Sequence, residues 1–193
     1  ALYYTRGIFP WGNECYLRSD MYHQYAPFFS ELWHKIRNGE SLTYSWNIGM
    51  GTNFTSLFAY YLASPSNWFV ALFPQKYTIE IMNAFIILKI AGSSLSLTYY
   101  LTKHNNNKHV IAAIFGMFYG MSGFIAAYSW NIMWLDCVIL IPLIMLGLER
   151  LVNENRCIFY CITLGLCIFT NYYIAVMVCL SVVIYYVVLM IAY

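Results

Sequence analysis

The residues best suited to chemistry in this chain lie near its start, in the run Asp20-Met21-Tyr22-His23-Gln24-Tyr25. The run places a carboxylate, an imidazole and an amide at the start of a predicted helix, where Asp20 shares a face with His23 or Gln24. Such a carboxylate can accept the proton of an attacking hydroxyl group or hold a divalent cation. The spacing by itself favours a simpler interpretation, in which Ser19 or Asp20 caps the helix.

A second chemical feature is a lysine inside an apolar stretch. Lys89 lies about ten residues into that stretch, roughly 15 Å deep by helical rise. A buried ammonium group is unfavourable there unless it faces a polar interior or a bound group. Two interpretations stay open: contact with an anionic group such as a phosphate, or a structural pair with Asp136 or Glu80.

The composition is that of an integral membrane protein, since 61% of the residues are hydrophobic and only 9% are charged. A net charge of +2 without a long basic tract is too small to suggest a nucleic-acid partner, and none is expected. Five apolar runs are predicted to span a bilayer: residues 79–102, 110–128, 133–149, 157–170 and 172–193. The fourth is short, but joining it to the fifth would give a helix of about 37 residues, so a break is predicted near Asn171.

The basic residues predict the orientation. Lys and Arg gather in two short loops, residues 103–109 and 150–156, which should therefore be cytoplasmic. Residues 1–78 then form an extracytoplasmic segment, in which a helix bent or restarted by Pro27 ends before Asn38-Gly39.

Two short helical pieces in this segment, residues 54–63 and 65–73, should lie in the membrane interface. All six tryptophans fall on the predicted outer side, where they line a cavity or pack the outer segment. Because the chain starts at Ala1 and stops within an apolar run at Tyr193, we expect it to be a fragment of a larger multipass protein.

Short motifs in a definite order run along nearly the whole chain. The first part contains Asp20 to Tyr25, Gly39-Glu40-Ser41-Leu42, Tyr44-Ser45-Trp46-Asn47, Gly49-Met50-Gly51, Asn53-Phe54, Ala59-Tyr60-Tyr61-Leu62, Ser64-Pro65 and Leu72-Phe73-Pro74. The second part contains Leu88-Lys89, Trp134-Leu135-Asp136, Pro142-Leu143, Gly147-Leu148-Glu149 and Asn171-Tyr172-Tyr173. In type and order these motifs resemble the YfhO family of bacterial membrane proteins.

The resemblance implies an all-α, multipass helical bundle with a long extracytoplasmic loop, similar to the C-type (GT-C) glycosyltransferases. It implies an enzyme of the bacterial cytoplasmic membrane that moves a sugar from a polyprenyl-phosphate carrier to lipoteichoic acid or a related cell-wall polymer. By the family pattern, the catalytic carboxylate maps to Asp20.

Further residues are candidates for substrate contacts, because aromatic faces stack on sugar rings and amides bind sugar hydroxyls. They are His23, Gln24, Trp46, Asn47, Asn53, Lys89, Asp136, Asn171 and Tyr172. A divalent cation is a further candidate at the carrier phosphate. Two other functions stay open: a transporter or flippase whose pathway Lys89 and Asp136 line, and a non-catalytic partner of a wall-polymer assembly complex.

Overall fold

The computed structural model describes residues 2–8, 11–15, 17, 20–104 and 109–192. Within this range the secondary structure is almost entirely helical, which confirms the predicted all-α class. The paired strands among these residues are two short antiparallel ones, β1 (Tyr44–Ser45) and β2 (Thr52–Asn53), with Tyr44 opposite Asn53.

The first part of the chain is built from short helical elements. In order they are α1 (Leu2–Thr5), a π-helical turn (Met21–Tyr25), α2 (Ala26–Asn38), α3 (Phe54–Leu57), a second π-helical turn (Phe58–Leu62) and two 3₁₀ helices (Pro65–Leu72 and Gln75–Tyr77). The predicted helical pieces at 54–63 and 65–73 are therefore present, although the second is a 3₁₀ helix.

Helix α2 shows why its boundaries could be predicted. Pro27 lies in its first turn, where the missing N–H group has no intrahelical partner in any case. At the other end Gly39 takes a left-handed conformation with φ of 65° and donates its N–H to the carbonyl of Lys35. The buried face of α2 contributes Phe29 and Leu32 to the core.

The second part of the chain consists of apolar helices of different lengths. They are α4 (Thr78–His104), α5 (His109–Gly120), α6 (Gly123–Tyr128), α7 (Leu135–Glu154), α8 (Ile158–Thr170) and α9 (Tyr172–Ala192). Among the described residues, three helical stretches are long and apolar enough to cross a membrane: Gln75–His104, His109–Tyr128 and Tyr172–Ile191.

The other two predicted spans correspond to shorter or more polar helices. α7 carries Asp136 in its first turn and Glu149 near its end, and α8 has only 13 residues. The predicted break between α8 and α9 is confirmed, because Asn171 has an extended backbone with φ of −159°.

Glycines bring α4 and α5 close together. A Cβ atom on Gly116 would collide with the Thr98 hydroxyl and the Ser94 carbonyl, and one on Gly120 would collide with the Ser94 hydroxyl. Small residues four positions apart commonly allow such close approach between membrane helices.

The chain divides into two compact units. The first contains Ala1–Ile87 and Trp130–Met133, and the second contains Leu88–Ser129 and Trp134–Tyr193. The division falls inside α4, nine residues after the end of the predicted outer segment at residue 78.

Candidate functional site

Asp20 lies directly before the first π-helical turn, with φ and ψ of −62° and −21°. Its side chain is exposed and forms no capping hydrogen bond. The prediction that Asp20 caps the helix is therefore wrong, because a capping residue normally has the extended backbone that turns its side chain back towards the helix. Ser19, the other predicted cap, lies outside the described residues.

Tyr25 connects this turn to a distant part of the first unit. It is only 4% exposed, and its hydroxyl donates to Asn131 Oδ1 at 2.9 Å. Its ring stacks on Trp130 at a centroid distance of 6.3 Å and lies 5.5 Å from the ring of Tyr61. We refer to Tyr25, Tyr61, Trp130 and Asn131 as the Tyr25 cluster.

The Tyr25 hydroxyl is held in its protonated form. Burial raises the pKa of Tyr25 well above its usual value, and the negative charge of Asp20 raises it further. The Asp20 carboxylate is thus electrostatically linked to the Tyr25 cluster.

The Tyr25 cluster contains a buried polar atom without a hydrogen-bond partner in the described part of the chain. Asn131 is buried, and its Nδ2 atom has no hydrogen-bond partner among the described residues. Buried amides are rarely left in that state, so this donor is a natural contact for a ligand oxygen or a water molecule.

His23 and Gln24 are the predicted substrate contacts near Asp20, and Gln24 contacts the Tyr25 cluster. Gln24 Nε2 donates to the Tyr61 hydroxyl at 3.2 Å. His23 is exposed, and its ring meets that of Tyr22 edge-on at 5.3 Å.

The loop between α2 and α3 contains three residues predicted to contact substrate, Trp46, Asn47 and Asn53. Trp46 is 76% exposed and packs edge-on against Tyr44 at 4.9 Å. Asn47 Nδ2 donates to Glu31 Oε2 at 3.0 Å, and Asn53 Oδ1 accepts from Thr55 N at 3.0 Å as the cap of α3. Both amides thus have structural partners, whereas the Trp46 ring is open to a ligand.

A buried ion pair on α2 holds this loop. Lys35 Nζ donates to the carbonyls of Ser41 at 3.0 Å and Tyr44 at 2.8 Å, and lies 3.7 Å from Glu31 Oε1. Glu31 in turn accepts from the Ser45 hydroxyl at 2.6 Å. Burial raises the pKa of Glu31, but hydrogen bonds from Ser45 and Asn47 and the charge of Lys35 outweigh it, so the pKa is lowered overall.

In the second unit, Lys89 and Asp136 form an ion pair. Lys89 Nζ lies 2.6 Å from Asp136 Oδ2, and the two side chains are 6% and 14% exposed. The predicted structural pair with Asp136 is therefore confirmed. Contact with a phosphate stays a prediction.

The break between α8 and α9 contains two further predicted residues. Asn171 is fully buried, and its Oδ1 atom accepts from Ile174 N at 2.9 Å, which caps α9. Tyr172 and Tyr173 are exposed, and the ring of Tyr173 stacks on Trp134 at 6.3 Å. An aromatic surface is thus present here, while the Asn171 amide serves the helix.

A cavity of about 330 Å³ lies among α5, α6, α7 and α9 of the second unit. Its lining is almost entirely apolar and consists of Tyr119, Ser122, Phe124, Val138, Ile141, Met145, Ile174, Met177, Val178 and Ser181. Tyr119 donates to the Val138 carbonyl at 2.9 Å, which joins α5 to α7 two residues beyond Asp136. We call this cavity the apolar groove.

Sequence reasoning missed the Tyr25 cluster and the apolar groove. The helical pattern treats Tyr25 as one more apolar position, and no local signal links it to Asn131, which lies 106 residues away. Among the described residues, no group of three or more His, Cys, Asp and Glu side chains could hold a metal ion. A divalent cation at the carrier phosphate stays a prediction.

Comparison with known proteins gives one result. No curated protein and no solved structure matches the chain. The family model described as bacterial membrane protein YfhO matches residues 1–193. The chain therefore belongs to the YfhO family of bacterial membrane proteins, as its motifs predict.

Proposed function

We propose that this protein is a glycosyltransferase of the bacterial cytoplasmic membrane. It moves a sugar from a polyprenyl-phosphate carrier to an extracytoplasmic cell-wall polymer such as lipoteichoic acid. The main support for the proposal is the exposed carboxylate of Asp20. Its charge acts on the Tyr25 cluster, which contains aromatic rings and a buried amide donor without a partner among the residues that the structure describes. Residues 1–78 lie on the outer face of the membrane in this proposal.

The reaction needs a base for the acceptor. The acceptor hydroxyl attacks the anomeric carbon of the donor sugar while the bond from that carbon to the carrier phosphate breaks. The Asp20 carboxylate takes the hydroxyl proton, and the departing electron pair stays on the phosphate oxygen. The Tyr25 hydroxyl is protonated near neutral pH and donates to Asn131, so it does not compete as a base.

The aromatic and amide groups supply sugar recognition. The exposed Trp46 ring offers an apolar face for the CH side of a sugar ring. The Nδ2 atom of Asn131 is a donor without a partner among the described residues, and because it is buried, a sugar hydroxyl can bind it only when the Tyr25 cluster opens.

The apolar groove suits the carrier lipid. Its side chains provide the environment that an isoprenoid chain needs, and its volume accommodates a short stretch of that chain. Lys89, next to Asp136, is the cation that we assign to the carrier phosphate in the same unit. A phosphate would share the ammonium group with Asp136.

The experiment that tests the proposal replaces Asp20 with Asn in the intact protein. Transfer from a polyprenyl-phosphate sugar, measured in proteoliposomes or as sugar incorporation into wall polymers, should fall by about 10²- to 10⁴-fold. Glu14→Gln is the matched control, because it removes another exposed carboxylate from the first unit and should leave transfer unchanged. Normal transfer by a folded Asp20→Asn protein would refute the assignment.

A transporter or flippase is the second candidate. The buried Lys89–Asp136 pair favours it, because ionisable pairs inside membrane helices often mark transport pathways. A transporter predicts that changes at Lys89 or Asp136 abolish substrate movement across the bilayer while Asp20→Asn has no effect. The two assays, transfer and movement, separate the two functions.

A further inference from the structure

A second cavity, of about 470 Å³, lies at the far end of the second unit from the Lys89–Asp136 pair. It is formed where α4, α7 and the end of α9 meet, and its lining contains Lys103, His104, Leu146, Glu149, Arg150, Asn153, Glu154 and Leu189. We call it the basic cavity. From this lining we propose that it binds the phosphate group of an anionic phospholipid, a site that does not depend on the proposed transferase function.

The first argument is the arrangement of charge. Glu149 is the one buried acid of the lining, and its carboxylate is occupied by three donors: the hydroxyls of Tyr100 at 2.7 Å and Tyr185 at 2.5 Å, and His104 Nδ1 at 3.1 Å. Glu154, the other acid, pairs with Arg156 at 3.4 Å on the exposed surface. Both acids thus have protein partners, but they remain part of the lining and offset the formal charge of its two cations.

The lining cations, in contrast, contact aromatic rings. Lys103 Nζ lies 5.9 Å from the ring centre of Tyr99, and Arg150 Cζ lies 5.3 Å from that of Phe159. These contacts hold the cations in place while leaving their N–H groups able to bind an anion. Arg is suited to bidentate binding of phosphate, and Lys adds a second positive charge.

The second argument is the mixed character of the lining. Leu146 and Leu189 stand beside the cations, so the cavity matches an amphiphile with a phosphate and an apolar portion better than it matches a free ion. Its volume falls within the range of about 300–1,000 Å³ typical of small-ligand sites. Basic pockets between membrane helices on the cytoplasmic side bind anionic head groups, and the predicted orientation puts these helix ends on that side.

The test measures lipid binding by the intact protein in mild detergent. The protein is titrated with phosphatidylglycerol or with phosphatidylcholine and followed by native mass spectrometry. One phosphatidylglycerol molecule should bind tightly, and phosphatidylcholine should not bind with comparable affinity. Each cation should contribute roughly fivefold, so the double variant K103Q/R150Q should bind phosphatidylglycerol roughly 25-fold more weakly. Lys103→Gln alone should weaken binding roughly fivefold, and because Lys103 is exposed, this variant tests the site without disturbing folding.

The matched control is Arg37→Gln. Arg37 is exposed and contacts an aromatic ring as the lining cations do, with Cζ 5.8 Å from the ring centre of Trp33. It belongs to the first unit and does not line the basic cavity, so its removal should leave binding unchanged. Equal affinity for the two lipids, unaltered binding by the double variant, or no lipid bound by the wild type would overturn the proposal. Displacement of phosphatidylglycerol by inorganic phosphate alone would assign the site to a free anion and overturn the lipid assignment.

Discussion

Replacing Lys89 with methionine should lower the free energy of unfolding by about 3–5 kcal/mol. At a separation of 2.6 Å the gross attraction between Lys89 and Asp136 is roughly 6 kcal/mol for an effective dielectric constant of about 20. Desolvation of the two ions, several kcal/mol each, offsets most of that attraction. The Lys89→Met change removes the attraction but leaves the Asp136 carboxylate desolvated, so the loss reflects the penalty of an unpaired buried charge.

A double-mutant cycle checks this reasoning. Lys89→Met and Asp136→Leu should each destabilise the protein, whereas the double variant should lie close to the wild type, since an apolar pair of similar volume often replaces a buried ion pair without loss. The measurement is reversible unfolding in mixed micelles, followed by tryptophan fluorescence. If the loss of unfolding free energy in the double variant equals the sum of the losses in the two single variants, the unpaired charge does not cause the destabilisation. That result would refute the reasoning.

The same variants separate structure from catalysis. If the ion pair serves only stability, the K89M/D136L protein should regain transfer activity together with stability. If Lys89 contacts the carrier phosphate, the stable double variant should remain inactive, because its cation is missing.

Three further predictions concern the remaining contacts. The pKa of Glu31 is lowered on folding, so its charge stabilises the folded protein above the unfolded pKa, near 4.5. This stabilisation is lost as the pH falls through the folded pKa. Glu31→Gln should remove that acid sensitivity, as measured by hydrogen exchange in the loop that Glu31 holds. Gly116→Ala should destabilise the protein by about 1–3 kcal/mol through a clash with α4, whereas Gly165→Ala, which faces open space, should not lower the thermal midpoint. Tyr25→Phe should lower the free energy of unfolding by about 1–3 kcal/mol, and Asn131→Ala should have a smaller effect in that background than in the wild type.

Much of the fold could be predicted because bilayer length and helix caps leave local signals. Gly39 ends α2 in the left-handed conformation that glycine adopts without strain, and Asn171 separates two apolar runs that would be too long as one helix. The break at Met121-Ser122 inside the second predicted span was not foreseen, because it depends on how Ser122 caps α6.

The candidate site was predictable only in part. Lys89 stands out because a charge inside an apolar stretch is visible in one sequence, whereas Asp20 is singled out by the resemblance to the YfhO family. The partners of these residues are not visible: Tyr25 meets Asn131 through tertiary packing, and the Glu31–Lys35 pair has the spacing of an ordinary surface pair although both residues are buried. For the same reason Asn47, predicted to contact substrate, has Glu31 as its partner.

The shortness of α8 has a consequence for the surrounding lipid. Its 13 residues rise only about 20 Å, while a typical hydrocarbon core is about 30 Å thick. A helix of this length can cross such a core only where the bilayer thins or where flanking side chains reach out to the interface. If α8 crosses the membrane, the hydrophobic mismatch makes its insertion depend on bilayer thickness, and shorter-chain lipids lower that mismatch.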